Sequence, residues 1–270
     1  MYSSWQPPFS YSGGKSQLAT RIASLFRKQF PNERHLISPF LGGAAVELRC
    51  MHAFKWSCLG ADADEHVILL WKWLIEAPRE VAECAVQFMP IDVSTWKSWY
   101  ADMMSSQWHT LAHAAKYFIL RYTKVVHAWS VWEKRLIAFN SPKVYLPAFH
   151  RLARFRVPRL SVKCSDFRHF LASHDGIAYV DSPYYSDDLS YEKVYEKRGA
   201  EEESVFSRAD HEALADILCT RSGWIASNAP HDWVRSRYRD YEQVEVNVTY
   251  ASRSAQQKRN RDTELIIISP

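Results

Sequence analysis

Gly176-Ile177-Ala178-Tyr179-Val180-Asp181-Ser182-Pro183-Tyr184-Tyr185 reads as a buried strand that stops on a carboxylate. The run from Ile177 to Val180 is short and apolar, with His174-Asp175 before it and Pro183 after it, the pattern of a parallel strand covered on both faces. Open α/β sheets bind ligands just beyond the carboxyl ends of their strands. Asp181, a turn fixed by Pro183 and the rings of Tyr184 and Tyr185 would be presented there together. Asp and Pro also end strands merely because they favour turns. The rest of the chain decides between a turn and a site.

Outward from this stretch, a chain of 270 residues has room for one large α/β domain, or one carrying a smaller insertion. Its 47% hydrophobic residues are ordinary for a packed protein. No apolar run approaches the roughly 18 residues that span a bilayer. The opening Met1-Tyr2-Ser3-Ser4-Trp5-Gln6-Pro7-Pro8 carries no basic head before an apolar stretch, so a cytoplasmic protein with no membrane partner is expected. Cys50, Cys58, Cys84, Cys164 and Cys219 are scattered and never spaced Cys-x-x-Cys, and no His-Glu-x-x-His occurs, so neither a disulfide frame nor a metal is expected. A net charge of +4 leaves attraction to anions to local patches. Five of the eleven tryptophans fall between Trp71 and Trp108, and Trp129 and Trp132 follow, which concentrates aromatic surface in the middle of the chain.

Near the start, Phe9-Ser10-Tyr11-Ser12-Gly13-Gly14-Lys15-Ser16 opens a helical pattern with Leu18, Ile22, Leu25 and Phe26 on one face. Gly-Lys-Ser ends a phosphate-binding P-loop, but that motif needs a glycine where Phe9 stands. What remains is either a plain helix-start turn or a turn that admits a ligand to the backbone, with Lys15 as a nearby point charge. His35 to Phe40 reads as a strand, and Leu41-Gly42-Gly43-Ala44-Ala45-Val46 as the turn into a helix running to about Ala53. Lys55 to Asp62 is a second strand ending in a carboxylate. Asp62 follows the glycines by about 20 residues, where Rossmann-like folds place an acid on ribose hydroxyls. A nucleoside-containing ligand fits that spacing; the missing Gly-x-Gly-x-x-Gly argues against a dinucleotide.

From about Trp71 to Val162 helical or mixed pattern replaces the strands, including a helix from Ala112 to Val126 whose Ala115, Phe118, Ile119 and Tyr122 form a core-facing stripe. Lys143 to Arg168 holds Lys143, Arg151, Arg154, Arg156, Arg159, Lys163 and Arg168 against the single acid Asp166. Such a run is either a solvated face or a surface that contacts phosphates. Leu160 to Cys164 is again a strand, followed by Ser165-Asp166-Phe167. Tyr185 to Ser204 is polar and aperiodic, a loop that closes over a site or is simply mobile. Ser207 caps a helix with Leu214, Ile217 and Leu218 on its buried face, and Trp224 to Asn228 is a strand. Val244 to Val248 and Leu265 to Ile268 complete a hairpin whose tip, Lys258-Arg259-Asn260-Arg261, suits a nucleic-acid backbone.

Several of these stretches, in this order, resemble the amino-methyltransferases that modify adenine in DNA, in particular the Dam-like class. Tyr11-Ser12-Gly13-Gly14-Lys15 is similar to that family's N-terminal cofactor motif, and Pro39-Phe40-Leu41-Gly42-Gly43 to its glycine loop. Ala61-Asp62 is similar to its ribose-binding acid, and Asp181-Ser182-Pro183-Tyr184 to its catalytic Asp-Pro-Pro-Tyr. Phe206 to Thr220, Ala226-Ser227-Asn228 and Arg261-Asp262-Thr263-Glu264-Leu265 also have counterparts, while the middle of the chain matches poorly. Three positions depart from the pattern: the acid before Pro-Phe is Ser38, the second glycine of the loop is Ala44, and the first proline of the catalytic motif is Ser182. The first would weaken a contact to the cofactor's amino-acid end. The methyl group of Ala44 is tolerable only if φ stays negative there.

The resemblance implies a Rossmann-like, S-adenosylmethionine-dependent methyltransferase fold, a mostly parallel sheet with an antiparallel last strand. Residues 1–71 and 161–270 would form the catalytic domain, and 72–160 an inserted, mainly helical target-recognition domain. It implies a monomer that methylates adenine N6 in double-stranded DNA without a metal. Tyr11, Ser12, Gly13, Gly14, Lys15, Phe40, Gly42 and Gly43 would line the cofactor pocket, with Asp181 beside it. Asp62 would hold the ribose, and Asp166 and Phe167 the adenine end. Arg151, Arg154, Lys258, Arg259 and Arg261 would meet DNA. Asp181 and the Ser182 carbonyl would accept the two N–H bonds of the target amine and free its delocalised lone pair, since serine and proline carbonyls are equivalent. Pro183 fixes the turn, and Tyr184 would stack on a base swung out of the duplex. A non-catalytic relative, or methylation of a cytosine amino group or of RNA, is compatible with the same motifs.

Overall fold

The computed structural model describes residues 6–11, 13–123, 129–185, 206–248 and 262–270. Ser12, the tip residues Lys258, Arg259 and Arg261, and the polar loop after Tyr185 lie outside the described residues. The strands are β1 (His35–Ser38), β2 (Ser57–Asp62), β3 (Leu160–Cys164), β4 (Ile177–Val180), β5 (Trp224–Asn228), β6 (Glu242–Val248) and β7 (Asp262–Ile268). They form one sheet in the order β3-β2-β1-β4-β5-β7-β6. β1 to β5 pair in parallel, and β7 runs antiparallel to both β5 and β6. The strand order turns back at β1 and β4, and the carboxyl ends of these two strands therefore flank the crevice where such sheets bind ligands.

β4 and β5 are buried at every position, which is why they read as continuous apolar runs and not as an alternation. Their side chains still alternate between two apolar layers. Leu36, Tyr179, Ile225 and Ile266 pack with Ile22 and Phe26 of helix α1 (Ala19–Gln29) and Val46 and Leu48 of α2 (Ala45–Phe54). Ile37, Val180, Ala226 and Leu265 pack on the opposite face with Phe170 of α9 (Phe167–Ser173) and Leu214 and Leu218 of α10 (Arg208–Thr220). Continuing that period of two puts Ser38, Asp181 and Glu264 on the α1 and α2 side of the carboxyl edge.

Between β2 and β3 every described element is a helix: α3 (Glu65–Glu76), α4 (Pro78–Gln87), α5 (Val93–Ser105), α6 (Leu111–Thr123), α7 (Trp129–Phe139) and α8 (Pro142–Ala153). α3 starts earlier than the hydrophobic pattern indicated because Asp64 caps it, accepting from the N–H groups of His66 and Val67. The expected stripe of α6 is present, with Ala115, Phe118 and Ile119 buried. Tryptophan density in this region is packing: Trp71, Trp96 and Trp108 are buried, and the indole N–H of Trp96 donates to Thr123 Oγ1 at 2.8 Å. Ser207 opens α10 with a capping box closed by Asp210. The six-residue α11 (Asp232–Arg237), capped by His231, is too short to leave a period in the sequence. No helix among the described residues is long and apolar enough to cross a membrane.

Ala44 overturns the condition set by the sequence. It is the N-cap of α2 at φ 55° and ψ 34°, in the left-handed region, where its methyl group crowds the following carbonyl. The turn holds through its own bonds, Ala44 N–H to Leu41 O at 2.7 Å and Leu48 N–H to Ala44 O at 2.9 Å. Net of the freedom glycine adds to the unfolded chain, Ala44→Gly is expected to raise stability by about 0.5–1 kcal/mol. Urea titration checks this: the midpoint should move up at unchanged slope, and a lower midpoint would refute the strain.

Candidate active site

The N-terminal turn and the opening stretch meet in one contact. Lys15 lies before α1, Asp181 just past β4, and Lys15 Nζ stands 2.8 Å from Asp181 Oδ1. The lysine is 3% exposed and also donates to Gly13 O at 2.7 Å. Asp181 keeps 19% of its side chain accessible, and among the described residues no group bonds its second oxygen. Burial raises the pKa of Asp181, and the charge and hydrogen bond of Lys15 oppose that shift. Lys15 thus works against the desolvation that favours the protonated form.

The two tyrosines of the catalytic stretch part company, contrary to the expectation that both rings face the ligand. Tyr184 is half-buried, its ring centre 4.8 Å from Lys15 Nζ, and its hydroxyl donates to Glu264 Oε2 on β7. Tyr185 is buried and stacked on Trp233 of α11, ring centres 4.4 Å apart at 9°, with His231 and His211 around it. It belongs to the core. Ser182 is 5% exposed, and Pro183 is half-buried.

The glycine turn is occupied by a side chain of the protein itself. A methyl group on Gly42, whose φ is +45°, would come within 2.7 Å of the Tyr11 ring, and one on Gly43 within 3.1 Å of Tyr11 Cβ. These glycines admit Tyr11, not only a ligand. Open space faces Gly13 instead, where an added methyl group meets nothing within 4 Å. Asp62 braces the turn, accepting Gly42 N–H at 2.9 Å and Asp64 N–H at 3.0 Å. Burial pushes its pKa up to about 6 against those two bonds. From the helical region Trp71 donates to Gly42 O at 2.8 Å, and the Arg121 guanidinium lies 5.0 Å from the Tyr11 ring centre while pairing with Asp64 at 3.2 Å. Arg121 and Trp71 had no motif to reveal them; only the fold brings them here.

Phe40, Phe167 and Phe206 form an aromatic wall beside β1, with ring centres 5.5–5.6 Å apart. Asp166 caps α9 through Arg168 N–H and pairs with the Arg168 side chain. The basic run from Lys143 to Arg168 is not one surface. Arg168 pairs with Asp166 and Asp210, Arg156 folds onto the carbonyls of Ala153 and Phe155, and Lys163 meets His174. On α8, Arg151 donates to the Tyr122 hydroxyl at 3.2 Å, and Arg154 after it is exposed. Among the described residues no three His, Cys, Asp or Glu side chains converge as a metal site.

Behind the glycine turn, Ser38 Oγ donates to Glu47 Oε1 at 2.6 Å, with both residues buried. Sequence reading passed over Glu47, since nothing distinguishes a buried glutamate in a helical stretch from a solvated one.

The sheet order and a carboxylate at the turn-back point define a Rossmann-like methyltransferase fold. The sequence model of the D12 class N6 adenine-specific DNA methyltransferases matches residues 11–252, and the chain belongs to that family of enzymes. No curated protein matches the chain.

Burial lifts the Glu47 pKa from 4.5 to about 7, so above pH 4.5 the folded protein holds a proton that the unfolded chain has released. Stability therefore falls as pH rises toward 7 and levels off beyond it, a loss on the order of 3 kcal/mol. Glu47→Gln is expected to flatten this slope, so that its melting temperature gains on the wild type at about pH 8 and not at about pH 5. Parallel melting curves at both pH values would contradict the assignment.

Proposed function

We propose that this protein transfers a methyl group from S-adenosylmethionine to N6 of an adenine turned out of double-stranded DNA. The observation that carries the reading is the Asp181 carboxylate at the end of β4, one oxygen held by Lys15 and the side chain still 19% accessible, with the Tyr184 ring against the same ammonium. A carboxylate so held stays charged and aimed. Its open oxygen accepts one N6–H, the Ser182 carbonyl accepts the other, and the nitrogen lone pair leaves conjugation with the ring. Tyr184, anchored through its hydroxyl by Glu264, offers its ring as a stacking plate for the extruded base. The open oxygen of Asp181, already bonded to N6, then takes the proton that the methylated amine sheds.

The residues present fit the donor. Its ribose hydroxyls suit the Asp62 carboxylate, and its positive charge suits a site with more buried acids than bases. Tyr11, Gly13, Gly14, Lys15, Phe40, Gly42 and Gly43 would hold it, with Asp166 and Phe167 toward its adenine. When bound, it supplies an electrophilic methyl group on a sulfonium. Those residues would hold the donor on the β1 and β2 side of Asp181, which would leave Tyr184 and Glu264 on the β5 and β7 side for the target base. Residues 72–160 choose the target sequence, and Arg151 and Arg154 meet the DNA backbone with the hairpin tip.

Incubated with labelled donor and mixed plasmid and phage DNA, the purified protein is expected to label adenine. Asp181→Ala should abolish transfer while leaving donor affinity within a few-fold. Label in cytosine would overturn the base assignment, and transfer surviving in the variant would overturn the role of Asp181. Lys15→Met removes the charge that opposes burial at Asp181, so transfer near pH 7 should drop about 100-fold and recover in part as pH rises. A loss equal at every pH would contradict that role.

A further inference from the structure

None of these steps uses Glu47, a carboxylate 1% exposed in the first turn of α2, directly behind the glycine turn. Isolated charges are rarely left in such places, because burial without a partner costs several kcal/mol. Its partners are weak ones: the Ser38 hydroxyl and the backbone N–H groups of Val46 and Glu47 itself. The ionisable groups that face it from the surrounding elements are acids. These are Asp181 and Tyr179 from β4, Cys58 from β2 and Cys50 from its own helix, while the face of α1 turned to the core is the apolar Ala19, Ile22, Ala23 and Phe26. Among the described residues no lysine or arginine pairs with Glu47, and the nearby Lys15 is committed to Asp181. Once ionised, Glu47 is therefore a negative charge behind the glycine turn with no cationic side chain paired to it among the described residues. Ser38 adds a second observation. It stands at the end of β1, where the resemblance leads one to expect an acid, and its hydroxyl bonds a carboxylate that arrives from the neighbouring helix.

We propose that Glu47, steadied by Ser38, is a positioning residue that supplies the counter-charge by which this site recognises the positive charge of its methyl donor. The inference rests on the reading of the donor given above. Acting from behind the turn, the carboxylate favours a cationic ligand over a neutral one of the same shape, and cation binding in turn favours its ionised form. Donor affinity then rises with pH as Glu47 loses its proton near 7. The titration of Asp62, about 6, overlaps that range, but on the proposed reading it acts on the ribose that adenosine shares and so moves both probes alike.

Calorimetry with two probes, S-adenosylmethionine and neutral adenosine, tests this. Glu47→Gln is expected to weaken donor binding about tenfold and to leave adenosine affinity unchanged, and the rise of donor affinity between about pH 6 and pH 8 should flatten. Ser38→Ala removes a bond that favours the ionised form, so it should move that rise to higher pH. Adding Ser38→Asp to Glu47→Gln should restore donor affinity by returning the carboxylate to β1. A purely structural glutamate would give equal losses for both probes, or a lowered melting temperature with wild-type affinity and pH dependence, and either result overturns the proposal. Wild-type protein that binds adenosine but not the donor would overturn the donor assignment itself.

Discussion

The contact between Lys15 and Asp181 joins the N-terminal turn to the end of the central strand, and the reading of the site rests on it. As a source of stability it is a poor device, since desolvating two charges offsets most of their attraction. Its value is chemical. Burial favours the protonated form of this acid, and on the proposed reading a protonated acid, being a donor, would not serve an amine that must itself donate. The ammonium takes one oxygen of the carboxylate and offsets part of its desolvation, so a single ion pair bears on both its charge and its placement.

Around that pair the sheet arranges its polar groups in a row. The same alternation that buries Leu36, Tyr179 and Ile266 on one face carries Ser38, Asp181 and Glu264 to its upper edge on β1, β4 and β7. The antiparallel β7 matters here. Slipped between β5 and β6, it brings a glutamate from near the end of the chain to the hydroxyl of Tyr184. Residues distant in sequence become neighbours at one rim, while the opposite face stays apolar and anchors Tyr185 against Trp233.

What could be read from the chain alone was whatever leaves a local mark. Apolar runs that stop on acids placed β2 and β4, the interval from the glycines to Asp62 placed the crevice, and Ser207 announced a helix start. Contacts made across the fold left none. The partner of Lys15, the separation of Tyr184 from Tyr185 and the approach of Arg121 to Tyr11 all depend on elements far apart in sequence. At the basic run composition left two readings open, and it could not register that Arg168 and Lys163 have partners of their own. The backbone at Ala44 misled: a residue that avoids left-handed geometry is held in it by the bonds of the turn.

Arg121 spans two regions that the chain keeps far apart. It is rooted in α6, is held by Asp64 at the start of α3, and lies over the ring that fills the glycine turn. Such a bridge carries free energy equally in both directions. Whatever displaces α6 shifts the affinity of any molecule resting against Tyr11, and that molecule, once seated, must bias α6 by the same factor. On the proposed reading, methyl-donor occupancy and duplex engagement would be linked variables, with the Arg121 guanidinium and the Trp71 indole as the groups they share.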